Sequence, residues 1–488
     1  MDDKKENVAR IVGDDNVLDN MENLDIYSRD HSLSIQIKPM FIVRPKNSSE
    51  VQKIVYWANQ SGTALVPMSS GPPHFHGSAV PSTPEAVIVD LSRMKNILQI
   101  DHRNKIVVIE PGVTYSQLQP QLAEEGLRLS APLIPKSNKS VVASLLEREP
   151  SLIPRYHWTP LDPLRCLEVI WGDGNKMLTG DASLLDPYEK ARTDKPSPLS
   201  PTGPGQTDFY HLISGSQGSM GIVTWASIKC ETRPKLHKLF FVPSKTLHDL
   251  VDFVYRILKL RLGDEIFLLN NVSLASILAE EVDQINELKE VLPPWIAFLG
   301  IAGRNMLPQE KVKYQETNIM ETAKKYNLHP VNEIPGAKDH EIMEALFKPY
   351  REPYWKLRYK GFWRDILFLT TLDKTPEFTR TLLSLAEEYE YPLSDINVYI
   401  QPIRQGVNCH CEFGIPYSRE TATEITKIKD FFKKASEELF KKGAYFSRPY
   451  GVWANMSYNR DAQTTILLKR IKSIFDPHNI MNPGKLCF

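Results

Sequence analysis

The residues best suited to chemistry form a short segment, Asn408-Cys409-His410-Cys411-Glu412. Two cysteines around a histidine are typical of a metal site. No other Cys/His pair stands nearby in the sequence to complete such a site, so we predict no bound metal. On a strand, alternation would place both cysteines on one face and His410 with Glu412 on the other. The segment is therefore either a structural strand or a strand that presents His410 to a ligand.

A second candidate site is the run VPMSSGPPHFHGSAVP at 66–81. It lies between an apolar step at 63–66 and a β-branched run at 86–89, so it should join two buried strands. Glycine and hydroxyl residues in such a loop can turn several backbone N–H groups toward one point, which suits a phosphate or pyrophosphate. An ordinary surface loop is the alternative interpretation. A second glycine/serine run at 214–221 leads directly into an apolar stretch.

The elements around these runs combine short strands with amphipathic helices. A weakly amphipathic helix is expected around 8–18, and the N-cap sequence NSSE precedes a helix over 51–59. A buried strand at 106–109 precedes a helix over 115–125. The sequence GDGN at 172–175 predicts a hairpin turn.

Beyond residue 234 the pattern changes. Long amphipathic helices alternate with apolar runs such as 295–299 and 366–369. This alternation predicts a separate domain in which helices cover an antiparallel sheet. A further helix over 464–475, stopped by a proline turn, ends the chain.

The composition predicts several domains and no polyanionic partner. A chain of 488 residues is too long for one core. Lys and Arg together number 59, as do Asp and Glu, so no net charge attracts nucleic acid or a membrane surface. The five cysteines are few and odd in number, and no stretch has the length and apolarity of a signal-peptide core or a membrane span. We therefore expect a cytoplasmic protein with reduced thiols.

Six motifs occur in order along the chain: the 67–81 loop, Asp90-Leu91-Ser92-Arg93-Met94, Glu110-Pro111-Gly112-Val113-Thr114, Leu167-Glu168-Val169, Gly221-Ile222-Val223-Thr224 and Asn482-Pro483-Gly484-Lys485. In this order they resemble the vanillyl-alcohol oxidase/p-cresol methylhydroxylase superfamily of FAD enzymes. The resemblance covers nearly the whole chain and is closer to the phenol-oxidising branch than to the D-lactate/glycolate branch. It implies an FAD-dependent oxidoreductase.

The resemblance also implies an α+β fold with four segments. An N-terminal helical extension would occupy 1–30, and a two-part FAD-binding domain of the p-cresol methylhydroxylase type would occupy 31–234. An α/β cap domain over the substrate, with an antiparallel sheet covered by helices, would occupy 235–442. The last segment, 443–488, would return to the FAD-binding domain.

Carried over by position, the cofactor-binding residues fall in five groups. The 69–78 loop would cradle the FAD diphosphate, 110–114 with 221–223 would hold the adenine and ribose, and 140–144 would contact the flavin. The C-terminal turn would bring a cation back to the cofactor. The residues are Ser69, Ser70, Gly71, His74, Phe75, His76, Gly77, Ser78, Pro111, Gly112, Ser140, Val141, Ser144, Gly221, Ile222, Val223, Asn482 and Lys485.

Four residues are implied as catalytic. Arg448 aligns with an arginine beside flavin and substrate in the phenol-oxidising branch, where a positive group stabilises the reduced flavin. His410 would face the flavin or the substrate and is a candidate for a covalent link to the flavin. Tyr156 and His157 stand where relatives carry an acid and would have to supply proton transfer. The alternatives are a surface arginine, a structural strand and a buried aromatic hinge.

Several residues depart from the family pattern. Pro72 and Pro73 replace small residues or a flavin-linked histidine, which excludes covalent attachment there and removes two N–H donors. Phe75 and Ser447 replace the tyrosines that hold a phenolate. The metal site of the hydroxy acid branch is also incomplete, because Ile403 stands in place of one of its histidines.

Three functions therefore remain open. The first is a dehydrogenase that removes hydride from an alcohol or 4-alkylphenol-like small molecule, with a protein as electron acceptor and a homodimer as the assembly. The second is a 2-hydroxy acid dehydrogenase in which Arg448 binds the carboxylate by a bidentate contact. The third is a cofactor-free scaffold, which the proline pair would favour.

Overall fold

The computed structural model describes residues 2–154, 163–184, 198–201, 209–347, 352–404 and 408–488. Its helices are α1 (Asp2–Val12), α2 (Met21–Tyr27), α3 (Ser48–Ser61), α4 (Tyr115–Glu124), α5 (Val141–Leu146), α6 (Tyr210–Ile213), α7 (Leu247–Leu260), α8 (Asn271–Leu278), α9 (Val282–Val291), α10 (Pro308–Lys325), α11 (Asp339–Phe347), α12 (Thr375–Glu388), α13 (Ala422–Lys441), α14 (Val452–Tyr458) and α15 (Ala462–Phe475).

The strands are β1 (Val17–Leu18), β2 (Phe41–Val43), β3 (Leu65–Met68), β4 (Val87–Asp90), β5 (Ile97–Asp101), β6 (Ile106–Ile109), β7 (Leu127–Arg128), β8 (Leu164–Trp171), β9 (Lys176–Leu178), β10 (Gly221–Lys229), β11 (Glu231–Thr232), β12 (Leu236–Ser244), β13 (Ile266–Asn270), β14 (Trp295–Gly303), β15 (Glu333–Ile334), β16 (Ala337–Lys338), β17 (Phe362–Thr370), β18 (Asn397–Arg404) and β19 (Asn408–Tyr417).

The part of the chain before residue 234 contains two main sheets. The first has the order β1-β2-β4-β3, and its strands β2, β3 and β4 run parallel. Helix α3 packs on it because Val51, Ile54 and Val55 recur at helical spacing and are fully buried. The second sheet is antiparallel, in the order β5-β6-β10-β8-β9. The loop that follows β3 lies between the two sheets and the cap.

The part of the chain after residue 234 that precedes the C-terminal segment, which we call the cap, is built on one six-stranded antiparallel sheet in the order β12-β14-β13-β18-β19-β17. Strand alternation divides its apolar residues between two cores. Phe240 and Leu268 pack with α7, α12 and α13 on one face, whereas Phe241 and Leu269 pack with α8, α9 and α11 on the other. The helices therefore cover both faces, and β17 forms one edge of the sheet, where Leu369 bridges Tyr445 of the C-terminal segment.

The C-terminal segment returns to the first sheet. Met481 forms a parallel bridge with Leu65, and the Asn482 N–H donates to the Leu65 carbonyl at 2.8 Å. Among the described residues no helix is long and apolar enough to cross a membrane.

The fold prediction is confirmed: helices and strands are mixed, and the sheet of the cap is antiparallel and covered by helices. The hairpin at 172–175 forms, with Val169 opposite Met177. The N-terminal helix was placed wrongly, because α1 occupies Asp2–Val12 and the segment expected to continue it pairs as β1 with β2. The domain boundaries remain predictions.

Candidate active site

A deep cleft lies between the part of the chain before residue 234, which we call the first domain, and the cap. Its volume is about 1770 Å³, counting the open space at its mouth. Residues from both glycine/serine loops line it, together with the segment 132–150 and three strands of the cap. Of the predicted site residues, those that line it are Ser69, Ser70, His74, Phe75, His76, Ser78, Pro111, Gly221, Ile222, Val223 and Arg448. The sequence motifs therefore meet at one place in the structure.

The 69–78 loop is tied to the segment before α5. The Lys136 ammonium donates to the carbonyl of Gly71 at 2.8 Å and to that of Pro73, and the Asn138 amide donates to the carbonyl of Pro72 at 2.8 Å. A Cβ on Gly71 would lie 2.6 Å from the Asn138 amide nitrogen, so the two segments touch closely at that glycine. Hydrogen bonds from Lys136 and Asn138 to three consecutive carbonyls thus fix the path of the loop.

The C-terminal turn supports the same loop from another side. The Lys485 ammonium donates to the carbonyls of Gly77 and Val80 at 2.9 and 2.8 Å, and the Asn482 amide donates to the carbonyls of Ser78 and Gln217 at 2.9 and 2.7 Å. Neither Lys485 nor Asn482 lines the cleft. The structure places both where they hold the loops, and their predicted contact with FAD remains a prediction.

The apolar end of the cleft is formed by Leu91, Pro111, Ile222 and Val223. Behind them the backbone packs tightly at Gly112, where a Cβ would lie 2.7 Å from the carbonyl oxygens of Leu91 and Met94. This end of the cleft is therefore apolar and closely packed, which suits a flat aromatic base.

Ser140, Val141 and Ser144 surround the start of α5 and do not line the cleft. The Ser140 hydroxyl caps the helix by accepting the N–H of Ala143 at 3.0 Å. The Ser144 hydroxyl accepts from the Tyr115 hydroxyl at 3.0 Å and donates to the Glu149 carboxylate. The helix cap and the contact with Glu149 connect these serines to the charged residues that follow in the chain.

Those charged residues form an ionic cluster on the first-domain wall. Lys139 lies 2.7 Å from a Glu147 oxygen and 3.2 Å from a Glu149 oxygen. Burial alone would lower the pKa of Lys139, but the two carboxylates outweigh it and raise the pKa. The lysine is therefore charged at neutral pH.

A matching cluster forms the cap wall. Lys356 lies 2.9 Å from an Asp365 oxygen and 2.6 Å from a Glu412 oxygen, and the Trp363 indole N–H also donates to Asp365. Burial opposes ionisation of all three charged groups, yet their mutual attraction raises the pKa of Lys356 and lowers the pKa of Asp365 and Glu412. All three are ionised at neutral pH.

His410 lies behind this cluster and does not line the cleft. Its Nε2 lies 3.0 Å from a Glu412 oxygen, and burial lowers the pKa of the imidazole despite that carboxylate. A neutral His410 donates its Nε2–H to Glu412 and fixes the rotamer of that carboxylate. Cys409 and Cys411 lie on the opposite, apolar face, as strand alternation predicted, and no group of described residues could hold a metal ion.

Two histidines of the 69–78 loop have buried ring nitrogens without a hydrogen-bond partner in the described chain, Nε2 of His74 and Nε2 of His76. Burial and the Lys136 charge lower the pKa of His74 to about 3. The His76 ring stacks on Tyr450 with centroids 4.6 Å apart, and its Nε2 lies 3.8 Å from an Asp365 oxygen. Both rings line the cleft.

Arg448 enters the cleft from the C-terminal segment and is 5% exposed. Its guanidinium forms no hydrogen bond or ion pair with any residue that the structure describes, although Glu149 is near enough to be affected by its charge. A buried arginine without a partner is costly unless an anion joins it. Arg448 is therefore a ready anion-binding group.

Sequence reasoning missed most of the cap wall. Lys356, Asp365, Glu412 and Tyr399 all line the cleft, but they come from separate elements. Only Glu412 was indicated by the sequence, because it belongs to the 408–412 segment that also contains His410. Tyr156 and His157 lie outside the described residues, so their roles stay predictions.

The residues of the cleft fit FAD. The apolar end suits adenine, and the hydroxyls of Ser69, Ser70 and Ser78 with nearby lysines suit the ribose and the diphosphate. The unpartnered nitrogens of His74 and His76 leave donors and acceptors for the flavin ring or substrate. When bound, FAD supplies a two-electron acceptor for hydride.

The comparisons with known proteins agree. Residues 39–145 match the FAD binding domain and residues 451–486 match the C-terminal domain of FAD linked oxidases. A D-2-hydroxyglutarate dehydrogenase of Stutzerimonas stutzeri is 24% identical, with 96% of each chain covered. The crystal structure of p-cresol methylhydroxylase with substrate bound has a TM-score of 0.83 at 17% identity, covering 100% of this chain and 96% of that one. The 4-ethylphenol oxidase of Gulosibacter chungangensis has a TM-score of 0.85 at 16% identity, covering 99% and 96%.

Fold and sequence thus point to one cofactor but to different substrates. The structural neighbours are named for phenols, whereas sequence relatives are named for hydroxy acids. The choice of branch stays a prediction, and the cofactor-free alternative is not supported. The chain contains the FAD binding domain and the C-terminal domain of FAD linked oxidases, and it is an FAD-dependent oxidoreductase with the fold of p-cresol methylhydroxylase.

Proposed function

We propose that this protein is an FAD-dependent dehydrogenase that removes hydride from a small aromatic alcohol or 4-alkylphenol-like molecule with an anionic oxygen. The observation that carries this proposal is Arg448, a buried arginine that lines the cleft without an ion-pair partner in the described chain. A phenolate or carboxylate on the substrate would complete its pairing.

Aromatic side chains on both walls support the aromatic class of substrate. Phe75 lies 5.9 Å from Tyr354, centroid to centroid, and both line the cleft with Tyr399 and Tyr450. Offset and edge-to-face contacts with such rings favour a flat aromatic substrate over an aliphatic one.

The hydroxyl proton of an alcohol needs an acceptor, and His76 suits this role better than Glu412. Both Glu412 oxygens already accept from Lys356 and His410, and the lowered pKa makes that carboxylate a weak base. Nε2 of His76 has no hydrogen-bond partner in the described chain and lies 3.8 Å from an Asp365 oxygen. His410 then acts through Glu412 as a positioning residue.

A 2-hydroxy acid is the second candidate substrate. Arg448 could bind its carboxylate in a bidentate contact, and the first-named sequence relative is called a D-2-hydroxyglutarate dehydrogenase. His76 would accept the hydroxyl proton in the same way. Transfer of the electrons to a protein acceptor and assembly as a homodimer remain predictions.

Anaerobic reduction of the FAD-loaded protein tests the proposal. We expect bleaching of the flavin absorbance by 4-alkylphenols or 4-hydroxybenzyl alcohols, and little by D-lactate, glycolate or D-2-hydroxyglutarate. Bleaching by the hydroxy acids alone would reject the aromatic substrate and favour the second candidate. No bleaching by any member of the panel contradicts both.

Arg448 variants then test the anion site. Arg448→Ala should raise the substrate concentration for half-maximal bleaching by about 100-fold, because a charge-assisted pair is lost in a buried site. Arg448→Lys keeps the charge without the bidentate geometry and should lie between. Equal behaviour of all three proteins would remove Arg448 from the substrate site.

A further inference from the structure

Four of the ten residues in the 69–78 loop cannot offer a backbone amide to a diphosphate. Pro72 and Pro73 have no N–H. The Gly71 N–H donates to the carbonyl of Asn138 at 3.1 Å, and the Gly77 N–H donates to the Asp30 carboxylate. A loop that binds phosphate by amides alone would lose these four donors, and a side-chain cation beside the loop would compensate for them.

Lys136 is placed to supply it. Its ammonium donates to the carbonyls of Gly71 and Pro73, on either side of Pro72, and the residue lines the cleft while only 7% exposed. No carboxylate of the described chain lies within ion-pair distance of it. Lys136 therefore differs from Lys139 and Lys356, which are each paired with two carboxylates.

The groups that face Lys136 leave it only partly protonated at neutral pH. Burial lowers its pKa to about 7, and Lys139 adds to this, while Glu147, Glu149 and Glu352 act in the opposite direction from further away. His31 and His74 also face it, but burial lowers their pKa values to about 4 and 3, so both are neutral at pH 7. A dianion placed beside Lys136 would favour its charged form.

We propose that Lys136 binds the FAD diphosphate, with its ammonium replacing the amide donors that the proline pair removes, and that FAD binding completes the protonation of this lysine. The free amine takes one proton from solvent as the anion enters, and no other bond changes. Lys485 also donates to two loop carbonyls but does not line the cleft, so in this proposal it supports the loop and Lys136 supplies the charge.

Calorimetric titration of the FAD-free protein with FAD tests this directly. Measured in buffers of different ionisation enthalpy, binding should take up about half a proton per FAD at pH 7 and close to one at pH 8. Because the complex holds more protons than the free protein, affinity should fall as pH rises above 7, by up to about tenfold per pH unit.

Two substitutions at Lys136 separate its charge from its hydrogen bonds. Lys136→Gln can still donate to a loop carbonyl but carries no charge, so FAD should bind at least about tenfold more weakly and without proton uptake. Lys136→Arg is charged throughout this pH range, so it should bind FAD without uptake and without the fall in affinity.

Lys485→Gln is the matched control, since it also removes an ammonium that donates to two carbonyls of the same loop. It should leave the proton uptake unchanged. The proposal is overturned if Lys136→Gln binds FAD within twofold of the wild type, or if uptake persists in Lys136→Gln or Lys136→Arg. If the glutamine variant does not fold, as judged by circular dichroism, the arginine variant alone decides by its uptake.

Discussion

Lys136 and Lys356 line the same cleft and are both largely removed from water, yet their surroundings have opposite effects on their pKa values. On the first-domain wall Lys136 meets only backbone carbonyls, and burial lowers its pKa to about 7. On the cap wall Lys356 meets Asp365 and Glu412, which raise its pKa although burial acts in the opposite direction. The presence or absence of a carboxylate partner, rather than burial, decides whether each lysine is fully protonated at neutral pH.

This difference separates a structural cation from an available one. Lys356 holds two carboxylates together and fixes the shape of the substrate side of the cleft. Lys136 is only partly protonated at pH 7, and an incoming anion can complete its protonation. The cap wall is therefore assembled before any ligand arrives, whereas the first-domain wall is completed by one.

The largest expected effect comes from removing the structural lysine. Lys356→Met leaves Asp365 and Glu412 buried together without a cation, and the free energy of unfolding should fall by about 3–5 kcal/mol. Lys136→Met, the matched change on the other wall, leaves only carbonyls unpaired and should cost about 1–2 kcal/mol. Urea denaturation of the FAD-free proteins at pH 7, followed by tryptophan fluorescence, measures both. Equal losses would contradict the contrast between the lysines.

The second prediction concerns proton transfer at the junction of the two walls. His76→Gln should slow anaerobic reduction of the bound flavin by an aromatic alcohol by about 10²–10⁴-fold, because the acceptor for the hydroxyl proton is lost. The rate is expressed per bound FAD, so that a loss of cofactor is not counted as a loss of proton transfer, and added imidazole should restore part of it. His102→Gln, a change at an exposed histidine, is the control. A loss below threefold would assign the proton to another group.

The third prediction concerns the ion pairs that join the two domains. Arg128 lies 2.7 Å from a Glu265 oxygen and His237 lies 2.8 Å from the other. Burial opposes ionisation, but these partners lower the pKa of Glu265 to about 2 from its usual 4.5. Since the folded value is the lower one, the stabilisation is present above pH 4.5 and is lost as the pH falls toward 2.

Glu265→Gln should therefore flatten the fall in stability between pH 5 and 3, and remove about 3 kcal/mol at neutral pH. Its neighbour is the control, because burial and Glu265 raise the pKa of Asp264. Asp264→Asn should change the slope in the opposite direction. Denaturation midpoints across this pH range measure both, and parallel slopes in the wild type and Glu265→Gln would contradict the prediction.

The smallest expected effect lies at the contact between the loop and the 136–140 segment. Gly71→Ala would place a Cβ 2.6 Å from the Asn138 amide nitrogen and displace the hydrogen bond to the Pro72 carbonyl. FAD affinity should fall about fivefold, near 1 kcal/mol. The double variant with Asn138→Ala should be no worse than Asn138→Ala alone. Losses that add in a fluorescence titration would place the effect elsewhere.

Sequence reasoning was most successful where neighbouring residues act together. The strand alternation around His410 put both cysteines on the apolar side, as observed, and the NSSE cap marked the start of α3 within a few residues. It did not show that His410 lies behind Glu412 and away from the cleft. Alternation told which face of β19 the imidazole shares with Glu412, but the depth of each side chain depends on Lys356, which lies on a separate segment.

The sequence by itself determined the order of the motifs and most of the strands and helices that carry them, because these follow from local spacing. The resemblance of those motifs to known FAD enzymes then implied the cofactor. The sequence also determined that Pro72 and Pro73 donate no amide. Only the tertiary structure decided which charged side chains meet. Lys356, Asp365 and Glu412 become one cluster, and Lys136 becomes a buried amine beside the proline pair, because folding brings distant segments into a space where water no longer screens their charges.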